Sequence, residues 1–204
     1  RRQRQMCIRD RISGDNEFNE LFLDEVPVPK ENVVGQIGDG WQIAISTLMY
    51  ERVVLTFARQ LQSEVALREL LGQAVAEHKV DEHIVAERTI LQEVQLAEQV
   101  ADACAVRALA YEHLLDYSTG LAPGVEGSMD KLLWSESFQR LCKLGLSIAG
   151  PFGSGGAETG PCAADVHRYL YSRGRTIAAG TSEVQRNIIA ERLLGLPRLA
   201  NAVT

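Results

Sequence analysis

The pattern of apolar and polar positions divides the chain into a short strand-like part and a long helical part. Between residues 17 and 34 the apolar residues form short extended runs, and the two prolines of Val26–Pro29 exclude a helix there. Glycines at positions 35, 38 and 40 then indicate a turn. We expect this part, residues 12–38, to be the C-terminal end of a β domain, with the prolines in an edge or terminal strand.

From residue 39 onward the apolar residues recur at steps of three and four, the period of one helix face. A first long helix is predicted from about Gly40 to Ala76, and a polar break at His78–Glu82 separates it from a second. A loop at Gly120–Gly127 precedes a third helix. The predicted buried faces are Trp41, Ala44, Leu48, Glu51, Leu55 and Ala58 in the first helix; Leu91, Val94, Ala97, Ala101, Cys104, Ala108, Tyr111 and Leu115 in the second; and Trp134, Phe138, Leu141, Gly145 and Ile148 in the third.

The remaining segments complete a helical bundle. The glycine-rich segment Gly150–Gly160 predicts a flexible loop, and a short helix is expected around Ala164–Ser172. A last helix, Ser182–Leu194, ends before a glycine and a proline, the usual stop signals. The predicted fold is therefore mainly α: an antiparallel four-helix-type bundle over residues 39–198, preceded by a remnant of a β domain and followed by a tail at residues 199–204.

The first eleven residues differ in composition and pattern from the rest of the chain. They contain five arginines and no apolar period. One interpretation is a basic arm. The hypothesis that we favour is that residues 1–11 are non-native or disordered, because the string resembles translated sequencing-adapter sequence.

Composition and charge exclude several functions. The net charge of −6 argues against nucleic-acid binding, which needs a basic face, and no apolar run approaches the length of a membrane span. The four cysteines form no C-x-x-C pair, so we expect neither a disulfide framework nor a zinc site, and a reduced cytoplasm fits better. His78 and His83 lie in the polar break, where a solvated loop is a better interpretation than a metal site.

Glu51 is the first candidate for chemistry, because it falls on the apolar face of the first helix between Leu48 and Leu55. A carboxylate on a buried face would be desolvated, which raises its pKa and makes it a better base near neutral pH. The alternatives are a structural ion pair with another helix, or a rotation of the face that leaves Glu51 at its rim. Periodicity alone does not separate these alternatives.

A second candidate is the segment from Gly180 to Gln185. Ser182 and Gln185 fit the S/T-x-x-E/Q capping box that starts a helix. The free N–H groups and positive dipole end of such a helix can bind a phosphate. A plain helix cap is the alternative. The glycines of residues 150–156 lack the strand–loop–helix setting of a dinucleotide motif.

Taken together, four strings resemble the acyl-CoA dehydrogenase family. They are FNELFLDEVPVPKENVVGQIGDGW (Phe18–Trp41), TLMYERVVL (Thr47–Leu55), EGSMDKLLWSE (Glu126–Glu136) and IAAGTSEVQRNIIAERLLGLPR (Ile177–Arg198). The resemblance implies an FAD-dependent enzyme that removes hydrogens from Cα and Cβ of an acyl-CoA thioester, giving a trans-2-enoyl-CoA. Most members carry the base, a glutamate, just before the Gly-Thr of the last string, where this chain has Ala179.

A minority of the family, including isovaleryl- and long-chain-type enzymes, carries the base on the first long helix, just before an arginine. Glu51 and Arg52 match that placement, with Arg52 orienting the base or the thioester end of the ligand. The resemblance further implies that the FAD is contacted by Gly180, Thr181 and Glu183, and that the acyl chain is contacted by Leu48, Ala178 and Ala179.

A second departure from the family is the segment Arg68–Gln73. The common R-x-x-F-G form places an aromatic side chain near the FAD of a neighbouring subunit, and no phenylalanine is present here. This variant and the Glu126–Glu136 string look more like bacterial members that act on bulky or steroid-derived acyl-CoAs.

The resemblance also bears on partners and completeness. It implies a homo- or hetero-tetramer, with electron-transfer flavoprotein or a similar acceptor, in a bacterial cytoplasm. A non-catalytic partner subunit of a heteromeric enzyme is the alternative, which Ala179 favours and Glu51 opposes. Because the family's N-terminal helical domain and most of its β domain supply much of the flavin pocket, we expect residues 1–204 alone to bind FAD weakly or not at all.

Overall fold

The computed structural model describes residues 5–9, 11–16, 18–80, 90–149 and 163–198. The chain divides into two compact units, Arg1–Leu48 and Met49–Thr204. In chain order the elements are β1 (Gln5–Arg9), β2 (Phe18–Phe22), a 3₁₀ turn (Lys30–Asn32), α1 (Gly40–Val80), α2 (Ile90–Ser118), α3 (Glu126–Ile148), α4 (Ala163–Arg175) and α5 (Ser182–Ile188), which continues as a π-helical turn (Ile189–Leu193).

In the first unit, β1 and β2 form a two-stranded antiparallel sheet that pairs Gln5 with Phe22 and Arg9 with Phe18. The extended run predicted after residue 17 is therefore present at Phe18–Phe22, whereas Val26–Pro29, expected in an edge or terminal strand, lies in no strand. β1 lies within residues 1–11, where no element was expected; their non-native origin stays a prediction. None of the side chains described between residues 11 and 48 is buried, so the described part of this unit has no core of its own. Gly35 and Gly38 have positive φ angles of 74° and 108°, which explains the glycines of the predicted turn.

The second unit is the predicted mainly α fold, with one core shared by α1, α2 and α3. α3 contacts both α2 and α4, as expected for a helical bundle. The core residues are Ala66, Leu67 and Leu70 of α1, Val106 of α2, and Trp134, Phe138, Leu141, Cys142 and Leu144 of α3, with Tyr169 and Tyr171 of α4 packed against them. The buried face predicted for the third helix is confirmed, since Phe138 is fully buried at its centre.

The buried faces predicted for the first two helices are wrong. Among the described side chains of α1 the buried ones are Thr56, Gln60, Ser63, Ala66, Leu67, Leu70 and Ala74, and most of them are about one residue out of phase with the predicted face. In α2 all eight predicted positions are exposed, and the buried residues are Gln99, Val106, Ala110 and His113. The physical reason is that both core faces include polar side chains that form hydrogen bonds inside the bundle. A hydrophobicity pattern assigns such residues to the exposed face.

The helix limits differ from the predicted ones in small ways. α1 runs to Val80, past the predicted end at Ala76, and α4 extends to Arg175, past Ser172. The last helix begins at Ser182 as predicted. The predicted loop Gly150–Gly160 and the tail at 199–204 lie outside the described residues.

Candidate functional site

The start of α5 differs from the predicted capping box. Thr181, not Ser182, is the N-cap: its Oγ1 accepts a hydrogen bond of 3.3 Å from the backbone N–H of Val184. The Gln185 side chain does not reach back to the cap residue's N–H. Its Nε2 instead donates to the carbonyl of Ala179 at 2.8 Å, and Gln185 is fully buried. The capping chemistry is therefore present but begins one residue earlier than predicted.

The loop before α5 has an unusual backbone. Ala179 has a φ of 58° and Gly180 a φ of 101°. Such a left-handed conformation costs a non-glycine L-residue about 1–2 kcal/mol. At Gly180 a Cβ atom would lie 2.5 Å from Gln185 Nε2, so only glycine fits while Gln185 holds the Ala179 carbonyl. Tertiary contacts therefore fix this loop.

A buried lysine ties the same loop to α3. Lys131 Nζ donates to the carbonyl oxygens of Gly180 at 2.6 Å and Thr176 at 3.2 Å. Gln139 Nε2 adds a 2.8 Å hydrogen bond to Thr176 Oγ1. Sequence reasoning did not single out Lys131. The available signal was a charged residue on the buried side of a helix, one turn before Trp134.

An apolar pocket lies between α1, α3 and this loop. Its lining residues are Leu55, Thr56, Arg59, Lys131, Trp134, Arg175, Ala178 and Ala179, and its cavity volume is about 80 Å³. None of these lining residues is acidic. The structure thus brings Ala178 and Ala179, both predicted to lie near the acyl chain, against the first long helix.

Glu51 lies in α1, four residues before Leu55. Residues four apart on a helix share a face, with Cβ atoms roughly 5–6 Å apart, so Glu51 is one turn from the pocket lining. The expected burial of Glu51 is not seen, because its side chain is exposed in this chain. This matches the alternative of a rotated face with Glu51 at its rim.

The other two residues predicted on this stretch are less informative. The Arg52 side chain lies outside the described residues. Leu48 belongs to the first unit, and its side chain is 48% exposed. Their predicted roles stay predictions.

A polar cleft of about 350 Å³ opens beside the start of α5. It is lined by Glu136, Gln139, Arg140, Lys143, Arg173, Thr176, Ser182, Glu183 and Arg186. Ser182 Oγ is buried and has no hydrogen-bond partner among the described residues. The pKa of Glu183 is lowered, first by a hydrogen bond from its own backbone N–H and then by the Thr181 hydroxyl. Guanidinium and hydroxyl donors at a helix start suit phosphate or sugar oxygens.

The described part of the chain forms neither a metal cluster nor a membrane span. No three His, Cys, Asp or Glu side chains lie together there as a metal ion would need. The side chains of His78 and His83 lie outside the described residues. No described helix is both long and apolar enough to cross a membrane. Cys104 and Cys142 are free thiols, the first exposed and the second buried.

Comparison with known proteins identifies the family of the helical domain. The family model described as "Acyl-CoA dehydrogenase, C-terminal domain" matches residues 38–194. The chain belongs to the acyl-CoA dehydrogenase family. Members of this family are FAD-dependent flavoproteins, which confirms the cofactor expected from the resemblance.

Two relatives illustrate the extent of the match. Acyl-CoA dehydrogenase IpdE1 of Mycolicibacterium smegmatis is 34% identical over 189 residues, 93% of this chain and 45% of that protein. Acyl-CoA dehydrogenase FadE34 of Mycobacterium tuberculosis is 35% identical over 188 residues, 92% of this chain and 24% of that protein. The chain therefore spans less than half the length of these curated relatives.

Solved structures show the same fold. The "Tcur3481-Tcur3483 steroid ACAD G363A variant" has a TM-score of 0.80 at 21% identity, covering 96% of this chain and 50% of that one. A glutaryl-coenzyme A dehydrogenase in complex with glutaryl-CoA has a TM-score of 0.77 at 21% identity, covering 95% and 48%. At these identities the likeness establishes the helical architecture alone.

Proposed function

We propose that this chain is part of an FAD-dependent acyl-CoA dehydrogenase that converts an acyl-CoA thioester to a trans-2-enoyl-CoA, with Glu51 as the general base. The observation that carries the proposal is the pocket shared by Leu55, Ala178 and Ala179. The Ala179 methyl group cannot accept a proton, whereas Glu51 offers a carboxylate one helical turn from the same pocket.

The proposed proton transfer uses Glu51 as the base. A Glu51 carboxylate oxygen takes the proton from Cα, and the electron pair of that C–H bond forms the Cα–Cβ double bond as a hydride leaves Cβ. Bound FAD supplies the acceptor for that hydride. Binding of an acyl chain over α1 would remove water from Glu51, which strengthens it as a base. Leu48, Ala178 and Ala179 would contact the acyl chain, and Arg52 would orient the base or the thioester.

The residues at the start of α5 fit the cofactor. Gly180, Thr181 and Glu183 are proposed to contact FAD, supported by the buried, unpartnered Ser182 hydroxyl beside them. Arg186 lines the polar cleft beside the start of α5, and its NH2 lies 2.6 Å from Glu136 Oε1. These donors suit the oxygen atoms of the cofactor's phosphates and ribityl chain.

The test is a Glu51→Gln variant of the full-length gene product. We expect kcat to fall by about 10²–10⁴, the usual contribution of a general base, while flavin absorbance of the purified protein is retained. The matched control is Glu93→Gln, an exposed glutamate in the first turn of α2, which should leave kcat unchanged. Activity kept by Glu51→Gln would exclude Glu51 as the base.

A second variant tests whether the two positions serve one pocket. In the Glu51→Gln background, Ala179→Glu places a carboxylate where most of the family carries it. We expect a measurable return of activity, limited by the positive φ of residue 179. No recovery in a folded, flavin-loaded double variant would argue against a shared pocket.

The alternative of a non-catalytic partner subunit is not favoured, because the relatives at 34–35% identity are named as acyl-CoA dehydrogenases.

We further propose a tetrameric cytoplasmic enzyme that passes electrons to electron-transfer flavoprotein or a similar acceptor. A relative that is 27% identical over 179 residues is named as a subunit of a caffeyl-CoA reductase-Etf complex. Sedimentation of the full-length protein alone measures its oligomeric state. Sedimentation with electron-transfer flavoprotein tests whether the two proteins bind.

The substrate class proposed from the sequence is a bulky acyl-CoA, including steroid-derived ones. Its support is the variant segment Arg68–Gln73 and the Glu126–Glu136 string. Assay of the full-length protein on short straight-chain, branched and steroid-derived acyl-CoAs tests this choice. Higher kcat/KM on the short straight chains would contradict it.

A further inference from the structure

We infer that the apolar pocket recognises an anionic group on the acyl part of the thioester, with Arg59 as the specificity-determining residue. This inference rests on the proposed dehydrogenation of acyl-CoA thioesters and adds a substrate class to it: acyl groups that end in a carboxylate or similar anion.

The Arg59 guanidinium is held in place by neutral groups. Its NH1 donates to Gln62 Oε1 at 3.0 Å and to the Tyr171 hydroxyl at 3.3 Å. Its Cζ lies 5.6 Å from the centroid of the Trp134 ring. In the part of the chain that the structure describes, no carboxylate pairs with this half-buried cation.

Several other arginines of the second unit pair with carboxylates, whereas Arg173, like Arg59, donates to neutral groups and lies over an aromatic ring, that of Tyr169. Among the paired arginines Arg107 is the closest match to Arg59, because its Cζ also lies 5.6 Å from an aromatic centroid, that of Tyr111. It pairs with Glu64 at 3.5 Å. Further arginines paired with carboxylates are Arg68, Arg140, Arg168, Arg186 and Arg198. Arg59 differs from Arg173 in its surroundings: Arg59 lines the apolar pocket, which has no acidic lining residue, whereas Arg173 lines the polar cleft beside Glu136 and Glu183.

The pocket around Arg59 favours an anionic ligand. Its walls include Leu55, Trp134 and Ala178, its other charged lining residues are Lys131 and Arg175, and none of its lining residues is acidic. A cation beside apolar walls loses hydration without gaining a counter-ion, and a ligand carboxylate would supply one. Both hydrogen bonds of Arg59 are donated by NH1, so Nε and NH2 remain available for the two-point pairing that guanidinium groups make with carboxylates.

The position of Arg59 on α1 defines where that anion would lie. Arg59 follows Glu51 by eight residues, and Leu55 lies between them on the same face. Eight residues of helix span roughly 12 Å. The anion therefore belongs at the far end of the acyl group, away from the Cα atom that Glu51 would deprotonate, with the apolar pocket wall in between.

The experiment compares two ligands that share CoA and chain length and differ in one terminal group: octanoyl-CoA and octanedioyl-CoA. Their dissociation constants are measured by calorimetry on the full-length wild-type protein, on Arg59→Gln and on the matched control Arg107→Gln. We expect wild type and Arg107→Gln to bind octanedioyl-CoA about 10- to 100-fold more tightly, the range of a charge-assisted pairing, and Arg59→Gln to bind both ligands about equally.

Because both probes carry the same CoA phosphates, a preference between them reports only on the acyl anion. Equal affinities in the wild type would overturn the inference, as would a preference that Arg59→Gln retains. The wild-type comparison needs no variant, so it can still overturn the inference if Arg59→Gln does not fold. Arg59→Lys, which keeps the charge, should then keep part of the preference.

Turnover with an artificial electron acceptor separates this inference from the proposed function. If octanoyl-CoA is dehydrogenated but neither ligand is preferred, the proposed function stands and the anion site fails. If the preference depends on Arg59 but neither ligand is dehydrogenated, the anion site stands and the proposed function fails.

Discussion

At the scale of single residues, Ala179 and Glu51 are the two positions on which the proposed chemistry depends. Ala179 lines the apolar pocket, and so does Leu55, which shares a helix face with Glu51. Ala179 has a positive φ of 58° although it is not a glycine. Its conformation is imposed by Gln185 and Lys131 rather than by the side chain at 179.

Ala179→Gly tests that view. Glycine adopts a φ of 58° without the cost that alanine meets, which offsets its greater loss of backbone entropy. We expect the free energy of unfolding to rise by about 0.5–1 kcal/mol. Ala178→Gly is the control, because residue 178 has no positive φ, and it should lower stability by a similar amount. Destabilisation by both changes, measured by urea unfolding of the full-length protein, would contradict an imposed conformation at Ala179.

At the scale of elements, the sequence predicted where the helices are, but it did not always predict which face of a helix is buried. α3 carries large apolar residues on its core face, so its pattern gave the correct face. The core face of α1 includes Ser63, whose hydroxyl accepts a 2.9 Å hydrogen bond from Trp134 Nε1. A hydrophobicity pattern predicts that polar residues are exposed even when they form hydrogen bonds inside the bundle. For the same reason it did not indicate Arg59 and Lys131.

Lys131→Met tests the link between α3 and the loop before α5. The change removes the ammonium that binds the carbonyls of Thr176 and Gly180. Losing the hydrogen bond to the Gly180 carbonyl and weakening the one at Thr176 should cost about 1–3 kcal/mol. It should also speed amide hydrogen exchange locally, above all at Ser182, whose N–H donates to the Thr176 carbonyl. Lys143→Met, an exposed lysine of the same helix, should leave exchange unchanged. Unaltered exchange around residues 176–182 in Lys131→Met would show that the tether does not hold the loop.

At the scale of the whole molecule, the bundle and its family followed from the sequence because the quoted strings fix both ends of the helical domain. The family model covers residues 38–194, close to the predicted bundle of residues 39–198. Strand β1 was not foreseen, because its residues lack an apolar period and it is formed by pairing with β2. Pairing between strands depends on distant residues, so a local pattern gives no signal for it.

A buried pair that joins α2 to α3 should make stability depend on pH. His113 Nδ1 and Asp130 Oδ2 lie 2.7 Å apart, and Asp130 Oδ1 is buried without a hydrogen-bond partner among the described residues. Burial raises the pKa of Asp130, outweighing the hydrogen bond and charge of His113, while the charges of Glu126 and Glu112 add to the increase. A folded-state pKa above the unfolded value, about 3.9, gives a stabilisation that is present below that value and is lost as pH rises through the folded pKa.

Asp130→Asn removes this titration, so the stability of the wild type relative to the variant should be greatest below about pH 3.9 and should fall as pH rises towards neutral. The measurement is the midpoint of urea unfolding of the full-length protein at several pH values. Asp116→Asn, at an exposed aspartate of α2, serves as the control and should follow the wild type at every pH. A difference between wild type and Asp130→Asn that stays constant, or grows in favour of the wild type as pH rises, would mean that desolvation does not dominate at Asp130. The pair with His113 would then stabilise the contact between α2 and α3 as an ion pair, because its attraction would exceed the cost of burying the carboxylate.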